Sequence, residues 1–422
     1  LYQKTTLANG LRIVSESIPY VHSASVGIWV KAGSRYETPE EHGVSHFVEH
    51  MLFKGTSNRT AKEISMDFEA VGGYLNAFTS KEHICLYSRV LDEDLDLALE
   101  ILTDIFFNSL FSPPDFERER RVILEEIKMY EDAPDEIVHD RLAANLWGKH
   151  PLGRAVLGTE QSLKNLELKR LKAYFSRRYR PENLVIAAAG NLDHRRLVEQ
   201  IESHWERLSP GRENETLLQP PKPCPEVTLE DKDTEQVQIC LGASGVAQDD
   251  PDLPAVQVLN TILGGGVSSR LFQEIREDRG LAYSVFSYHS AYLDTGLFGI
   301  YAGTSRASSG EVLDLILQET EKIRREGIMA AELERAKAQI KGSTYLSLES
   351  VSNRMSRLGR SEISFDRVIA PEEFIAKIES VSLEQVRQVA GRLLEPGQFA
   401  VSLIGDEVSD LGLPGILAQK DV

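Results

Sequence analysis

Little in this sequence would support a covalent staple or a membrane span. Of 422 residues only three are cysteine, Cys85, Cys224 and Cys240. They match no Cys-x-x-Cys metal spacing, and an odd count cannot close a complete disulfide framework. They read as small buried hydrophobes of a reducing compartment. No apolar run reaches the length a transmembrane helix needs, so no membrane partner is expected. Basic residues are in the minority, 47 Lys and Arg against 65 Asp and Glu, for a net charge of −18. That surface repels a phosphate backbone and speaks against nucleic acid as a partner. Solubility is the simplest use of the charge, and any part lining a cavity would draw in cationic peptides. The first residues, Leu1-Tyr2-Gln3-Lys4, lack the charged, apolar and small-residue succession of a signal peptide. Leu rather than Met at position 1 leaves room for a removed leader, and the expected location is a bacterial cytoplasm or an organellar interior.

The composition that remains, 41% hydrophobic and 27% charged, is that of a globular chain long enough for two or more domains. Its most informative stretch is His46-Phe47-Val48-Glu49-His50. On a helix, positions i, i+3 and i+4 share a face, so His46, Glu49 and His50 point the same way. Two imidazoles one turn apart can grip one Zn²⁺, and a neighbouring carboxylate can take a proton from a zinc-bound water. The order His-x-x-Glu-His is the inverzincin signature. Two histidines need a third ligand. The helix expected over 114–130 offers Glu119 and Glu126, two turns apart on one face with Val122 and Ile123 between them. Without the histidines these would read as a solvated charged face.

Asn9-Gly10 between alternating runs predicts a hairpin. Strands are expected over 25–31, 74–80, 84–90 and 183–189, and helices over 61–71, 91–107, 135–145, 163–179 and 194–208. Proline and polar residues dominate 209–227 and read as an extended linker. Beyond it the order of elements restarts, so the chain divides into 1–208, a linker 209–227 and a homologous 228–422. In the second copy Val256 and Asn260 stand where the histidines should be. Leu263-Gly264-Gly265-Gly266 carries neither Gly-Lys-Ser/Thr nor Gly-x-Gly-x-x-Gly, which removes a phosphate loop and leaves a helix-ending turn. Arg276 and Tyr283 are less ordinary, since a guanidinium and a phenol can stabilise an oxyanion.

His-Phe-Val-Glu-His, Gly-Gly-Tyr-Leu-Asn-Ala-Phe-Thr, Glu-x6-Glu, Gly-Gly-Gly-Val-Ser-Ser-Arg-Leu and Arg-Gly-Leu-Ala-Tyr-Ser together resemble the pitrilysin or insulinase family of zinc peptidases, in its mitochondrial-processing-peptidase-like branch. The resemblance implies an α+β fold of two homologous sandwich-like halves, each an antiparallel-rich sheet packed with helices, forming a clamshell-type half chamber. It implies one Zn²⁺ per chain on His46, His50 and Glu126, with Glu119 behind the ligands and Glu125 as the adjacent competitor for the third position. Glu49 becomes the general base. The backbone of Asn76 and Ala77 would receive an extended peptide by strand addition. Arg276 and Tyr283, with the family's spacing, would contact the carbonyl or oxyanion. The implied activity is endopeptidase cleavage of unfolded or short peptides by a homodimer. The competing readings are a non-catalytic core-type subunit and a peptide-binding clamp with a structural zinc.

Overall fold

The computed structural model describes residues 2–211 and 219–411. The chain forms two compact units. The first comprises Leu1–Lys128, Ala155–Leu218 and Leu346–Ile369, the second Met129–Arg154, Gln219–Tyr345 and Ala370–Val422.

The first unit is built on six strands, β1 (Tyr2–Thr6), β2 (Arg12–Ser17), β3 (Ser23–Val30), β4 (Tyr74–Thr79), β5 (Ile84–Leu91) and β6 (Leu184–Gly190). They lie in the order β1-β2-β6-β3-β5-β4. All neighbours are antiparallel except β2 and β6. The Asn9-Gly10 turn forms as expected, with Gly10 at φ +94° and Thr6 registered on Arg12. Both faces of the sheet are covered, which is why β6 is buried throughout instead of alternating. Ile13, Val26, Ile28, Leu86 and Ile186 face helices α1 (Val44–Leu52), α2 (Ala61–Ala70), α3 (Leu95–Asn108), α4 (Pro113–Glu131), α6 (Glu160–Asn165), α7 (Leu168–Arg178) and α8 (His194–Trp205). A single helix was expected over 163–179. It breaks at Leu166, where the Arg120 guanidinium takes the carbonyls of Leu163 and Leu166.

Val14, Trp29, Cys85, Val185 and Ala187 project to the other face. It is covered by α12 (Val351–Phe365), through Met355, Leu358 and Ile363. Gly359 lets this helix approach: a Cβ there would stand 2.1 Å from Trp29 Nε1. Lys4 Nζ, 2.7 Å from the fully buried Glu362, fixes the helix along its length.

Among the described residues the second unit repeats the plan without a counterpart of β1. Its strands β7 (Val227–Asp231), β8 (Val237–Gly245), β9 (Ala282–Ala291), β10 (Gly296–Thr304) and β11 (Ala400–Gly405) run in the order β7-β11-β8-β10-β9. Again one internal pair is parallel, β7 with β11. One face packs on α9 (Leu253–Leu263), α10 (Ser309–Glu326), α11 (Ala330–Ser347) and α14 (Leu383–Leu393), beside α13 (Pro371–Glu379). The other receives α5 (Pro134–Trp147), through Ile137, Leu142 and Leu146 against Cys240, Ala400 and Ile404.

The expected boundaries therefore need correction. The α5 segment, from the first sequence half, belongs with the second sheet, and α12, from the second half, belongs with the first. Each sheet has an apolar face that the helices of its own half leave open. The linker 209–227 falls partly outside the described residues. Its end is anchored, since Cys224 and Glu226 donate backbone hydrogen bonds to Leu146 and Asn145 and Val227 already opens β7.

Gly359→Ala should lower stability by about 1–3 kcal/mol through overpacking against Trp29. Gly391→Ala, in an exposed part of α14 where an added Cβ meets nothing within 4 Å, should raise it by about 0.4–1 kcal/mol. Urea unfolding midpoints of the two variants beside wild type check both signs.

Candidate metal centre

Nine residues of α1 divide into two faces. Val44, Phe47, Val48 and Met51 are fully buried on one. His46, Glu49 and His50 lie together on the other, the division that 3.6-residue periodicity requires. Gly43 starts the helix at φ +92°, a conformation reserved for glycine. The Glu37 carboxylate accepts from the Gly43 and Ser45 backbone N–H groups at 2.8 Å each and so caps the free end. Phe47 stacks on Phe116 of α4, with ring centroids 4.5 Å apart. That contact carries the α4 carboxylates to the histidines.

His46 Nε2 lies 3.7 Å from Glu126 Oε1, and His50 Nε2 lies 3.4 Å from Glu126 Oε2. The ligand atoms of His46, His50 and Glu126 fall within 4.8 Å of one another. Among the described residues it is the one group of at least three His, Cys, Asp or Glu so arranged. Two donors about 2.05 Å from a tetrahedral ion stand about 3.4 Å apart, so the spacing suits one zinc. Glu125 is excluded as a ligand: it points outward, exposed, and pairs with Lys128 at 2.7 Å. Glu119 is buried and accepts from His50 Nδ1 at 3.2 Å, leaving Nε2 of that ring to the ion. Its second oxygen meets Lys54 Nζ at 3.0 Å. His46 Nδ1 is buried with no hydrogen-bond partner among the described residues.

Burial, helped by His50, depresses the His46 pKa to about 4. Burial also works against a proton on His50, but Glu126 and Glu119 outweigh it and leave the pKa raised. The His50 hydrogen bond holds Glu126 below the usual carboxylate range. Burial lifts Glu49 above it, against the opposing Thr79 bond.

Thr79 is a contact the sequence did not announce: its hydroxyl donates to Glu49 Oε2 at 2.5 Å. It is the last residue of β4, the edge of the sheet, which among the described residues pairs only with β5. On β4 Asn76 is exposed and Ala77 buried. Asn76 donates to the Tyr74 phenol at 2.6 Å, and its Oδ1 accepts from the Ala77 N–H at 2.8 Å. Lys54 was missed too, although it follows His50 by one helical turn.

Arg276 and Tyr283 belong to the second unit, and the metal group to the first. They are brought to each other. Arg276 lies in a π-helical turn, Phe272–Glu277, and its guanidinium sits 4.7 Å from the ring centroids of both Phe272 and Tyr283. Tyr283, the second residue of β9, is 78% exposed, so its phenol is open to a ligand. Val256 is fully buried in α9, which holds no metal ligands.

Residues 12–160 match the family described as Insulinase (Peptidase family M16), and residues 165–340 match the Peptidase M16 inactive domain. An uncharacterized zinc protease of Bacillus subtilis, YmxG, is 43% identical over 404 residues, covering 96% of this chain and 98% of that one. An uncharacterized zinc protease of Streptomyces coelicolor is 44% identical over 401 residues, 93% of this chain and 87% of the other. Among solved structures, a peptidase M16 inactive domain from Pseudomonas fluorescens superposes with a TM-score of 0.90 at 24% identity, over 98% of this chain and 100% of that chain. A chain of complex III from Candida albicans gives 0.87 at 21% identity, over 99% of each. At such identities these two establish the fold alone. With the metal group on one helix pair and relatives of this similarity along nearly its whole length, the chain belongs to the insulinase family of zinc peptidases, peptidase family M16.

Proposed function

We propose that the chain is a zinc-dependent endopeptidase of processing-peptidase type that cuts unfolded or short peptides. The observation that carries this is the Thr79–Glu49 bond. It ties the open edge strand, which can receive an extended peptide, to the carboxylate beside the metal group. His46, His50 and Glu126 are the ligands. Bound there, zinc supplies a Lewis acid and lowers the pKa of a water in its open position. Glu49 accepts the proton of the attacking water on a carboxylate oxygen and returns it to the leaving amine. Its raised pKa makes it the better base for that task. Asn76 and Ala77 bind the peptide backbone, for which Asn76 must release the Ala77 N–H it now occupies. Arg276 and Tyr283 donate hydrogen bonds to the oxygen that becomes negative. Glu119 orients His50 from behind. The location proposed is the bacterial cytoplasm. The working form is a homodimer, and sedimentation equilibrium should return twice the 47.2 kDa chain mass; a monomer would refute the pairing.

A quenched-fluorescent library of Lys- and Arg-containing peptides tests the reading. Glu49→Gln should keep its zinc and lose about 10²- to 10⁴-fold in kcat/KM. Glu126→Gln should lose zinc as well as activity, and Glu125→Gln neither. A Glu49→Gln protein that cuts like wild type would show that another group is the base, and a wild type that binds zinc but cuts nothing would favour the clamp.

The apo-protein also sets a pH signature. Of the three ligands only His50 has its pKa raised, whereas His46 stays neutral down to about pH 4 and Glu126 is held ionised. Zinc must displace the His50 proton, so affinity should fall as pH drops through that raised pKa. The slope should be about one log unit per pH unit between pH 6 and 5, since one proton leaves and not two. Zinc titrations in a pH series measure it, and a slope near two would show that His46 is protonated too.

A further inference from the structure

Glu119 stands behind His50 with 3% of its side chain exposed. A carboxylate so placed needs both oxygens bonded and its charge balanced. His50 Nδ1 serves Oε2, but a ligating imidazole is neutral and supplies a hydrogen bond without a charge. The charge comes from Lys54, whose Nζ lies 3.0 Å from Oε1. The helix geometry arranges this. Lys54 follows His50 by four residues and so falls one turn further along the same side. Its own N–H still bonds to the Met51 carbonyl at 3.2 Å, and Gly55, at φ +102°, then turns the chain away. A helix C-terminus also favours a cation. The edge of α1 and the turn that ends it thus present two donors, four residues apart, to the two oxygens of a single buried carboxylate on α4.

We propose that Lys54 is a positioning residue of the metal centre. It holds Glu119 in place and balances its charge, and Glu119 in turn fixes the His50 tautomer that leaves Nε2 free for the ion. The proposal rests on His46, His50 and Glu126 being the ligands. With zinc in place, two positive charges face three carboxylates, Glu49, Glu119 and Glu126. Lys54 supplies the third positive charge. Without it, Glu119 either keeps an uncompensated charge or turns from His50 toward solvent, and the imidazole loses its orientation.

The test is zinc affinity, by competition with a chromophoric chelator at one pH, on the full chain. The proteins are wild type, Lys54→Met, Lys54→Arg, Glu119→Gln and the Lys54→Met/Glu119→Gln double variant. The absorption spectrum of the cobalt(II)-loaded forms is recorded in parallel. Lys54→Met should weaken zinc about 10-fold and alter the cobalt bands. Lys54→Arg, which keeps the charge, should recover most of the loss. In the Glu119→Gln background Lys54→Met should change nothing further, because its path to the metal is already cut. Equal losses in both backgrounds, or none in either, would overturn the proposal. Should Lys54→Met fold poorly by circular dichroism, Lys54→Gln replaces it in the same cycle. Glu126→Gln in the same titration separates the levels: if it leaves zinc affinity unchanged, the ligand set itself fails, and this role with it.

Discussion

The stacking of Phe47 on Phe116 is the contact on which the metal centre depends. The two histidines and the three glutamates of the site come from two helices, and neither helix is complete alone. The histidines and Glu49 are on α1, and Glu119 and Glu126 are on α4. Aligning them requires a rigid apolar joint beside the polar residues on each helix. Val44, Phe47, Val48 and Met51 supply it on α1, and Phe116, Ile123 and Ile127 on α4. A shift at this joint would move two ligand sets against each other at once, which is the kind of small displacement that metal sites tolerate poorly.

Three glutamates meet at this joint in three environments. Glu126 is half open and bonded by His50, which favours its ionised form, as the proposed ligand role requires. Glu49, further from solvent, is lifted toward the range where a carboxylate both takes and returns a proton. Glu119 is closed off between His50 and Lys54 and is out of reach of solvent. The residue type is the same in each case; burial and the nearest partner separate the roles.

What the sequence made legible follows from the range of the interactions involved. His46, Glu49 and His50 are local, because a helix fixes their mutual directions within two turns. Glu119 and Glu126 are local on α4 in the same way, and the exposed Glu125 shows how sharply one residue of phase decides. The repeat was legible because strand order is copied: β2-β6-β3-β5-β4 and β7-β11-β8-β10-β9 are the same path. The exchange of α5 and α12 between the sheets was not. Which face of a sheet lacks cover is a property of the assembled layers, and an amphipathic helix carries no mark of the sheet it will meet. Thr79 and Lys54 escaped for a related reason. Each is ordinary in its own element and acquires a role only from a partner at a distance in sequence, Glu49 and Glu119.

Duplication also explains why one copy keeps the metal ligands and the other does not. His46 is largely buried, and burial drives its pKa to about 4, a measure of how poorly the site accepts a bare charged imidazole. Such residues are tolerable where an ion and carboxylates satisfy them. In the second copy α9 has given up the ligands, and the fully buried Val256 packs with Leu259 and Leu263 where a ligand would be a liability. Freed from holding metal, that half keeps its polar chemistry at the start of its edge strand. There the exposed Tyr283 of β9, the counterpart in strand order of β4, stands beside Arg276 of the preceding turn. The π-helical turn that carries Arg276 is itself a departure from regular helix, and such turns arise where a side chain must be aimed off the regular path. One fold copied twice has thus put metal chemistry beside one open edge and a cation–phenol pair at the other.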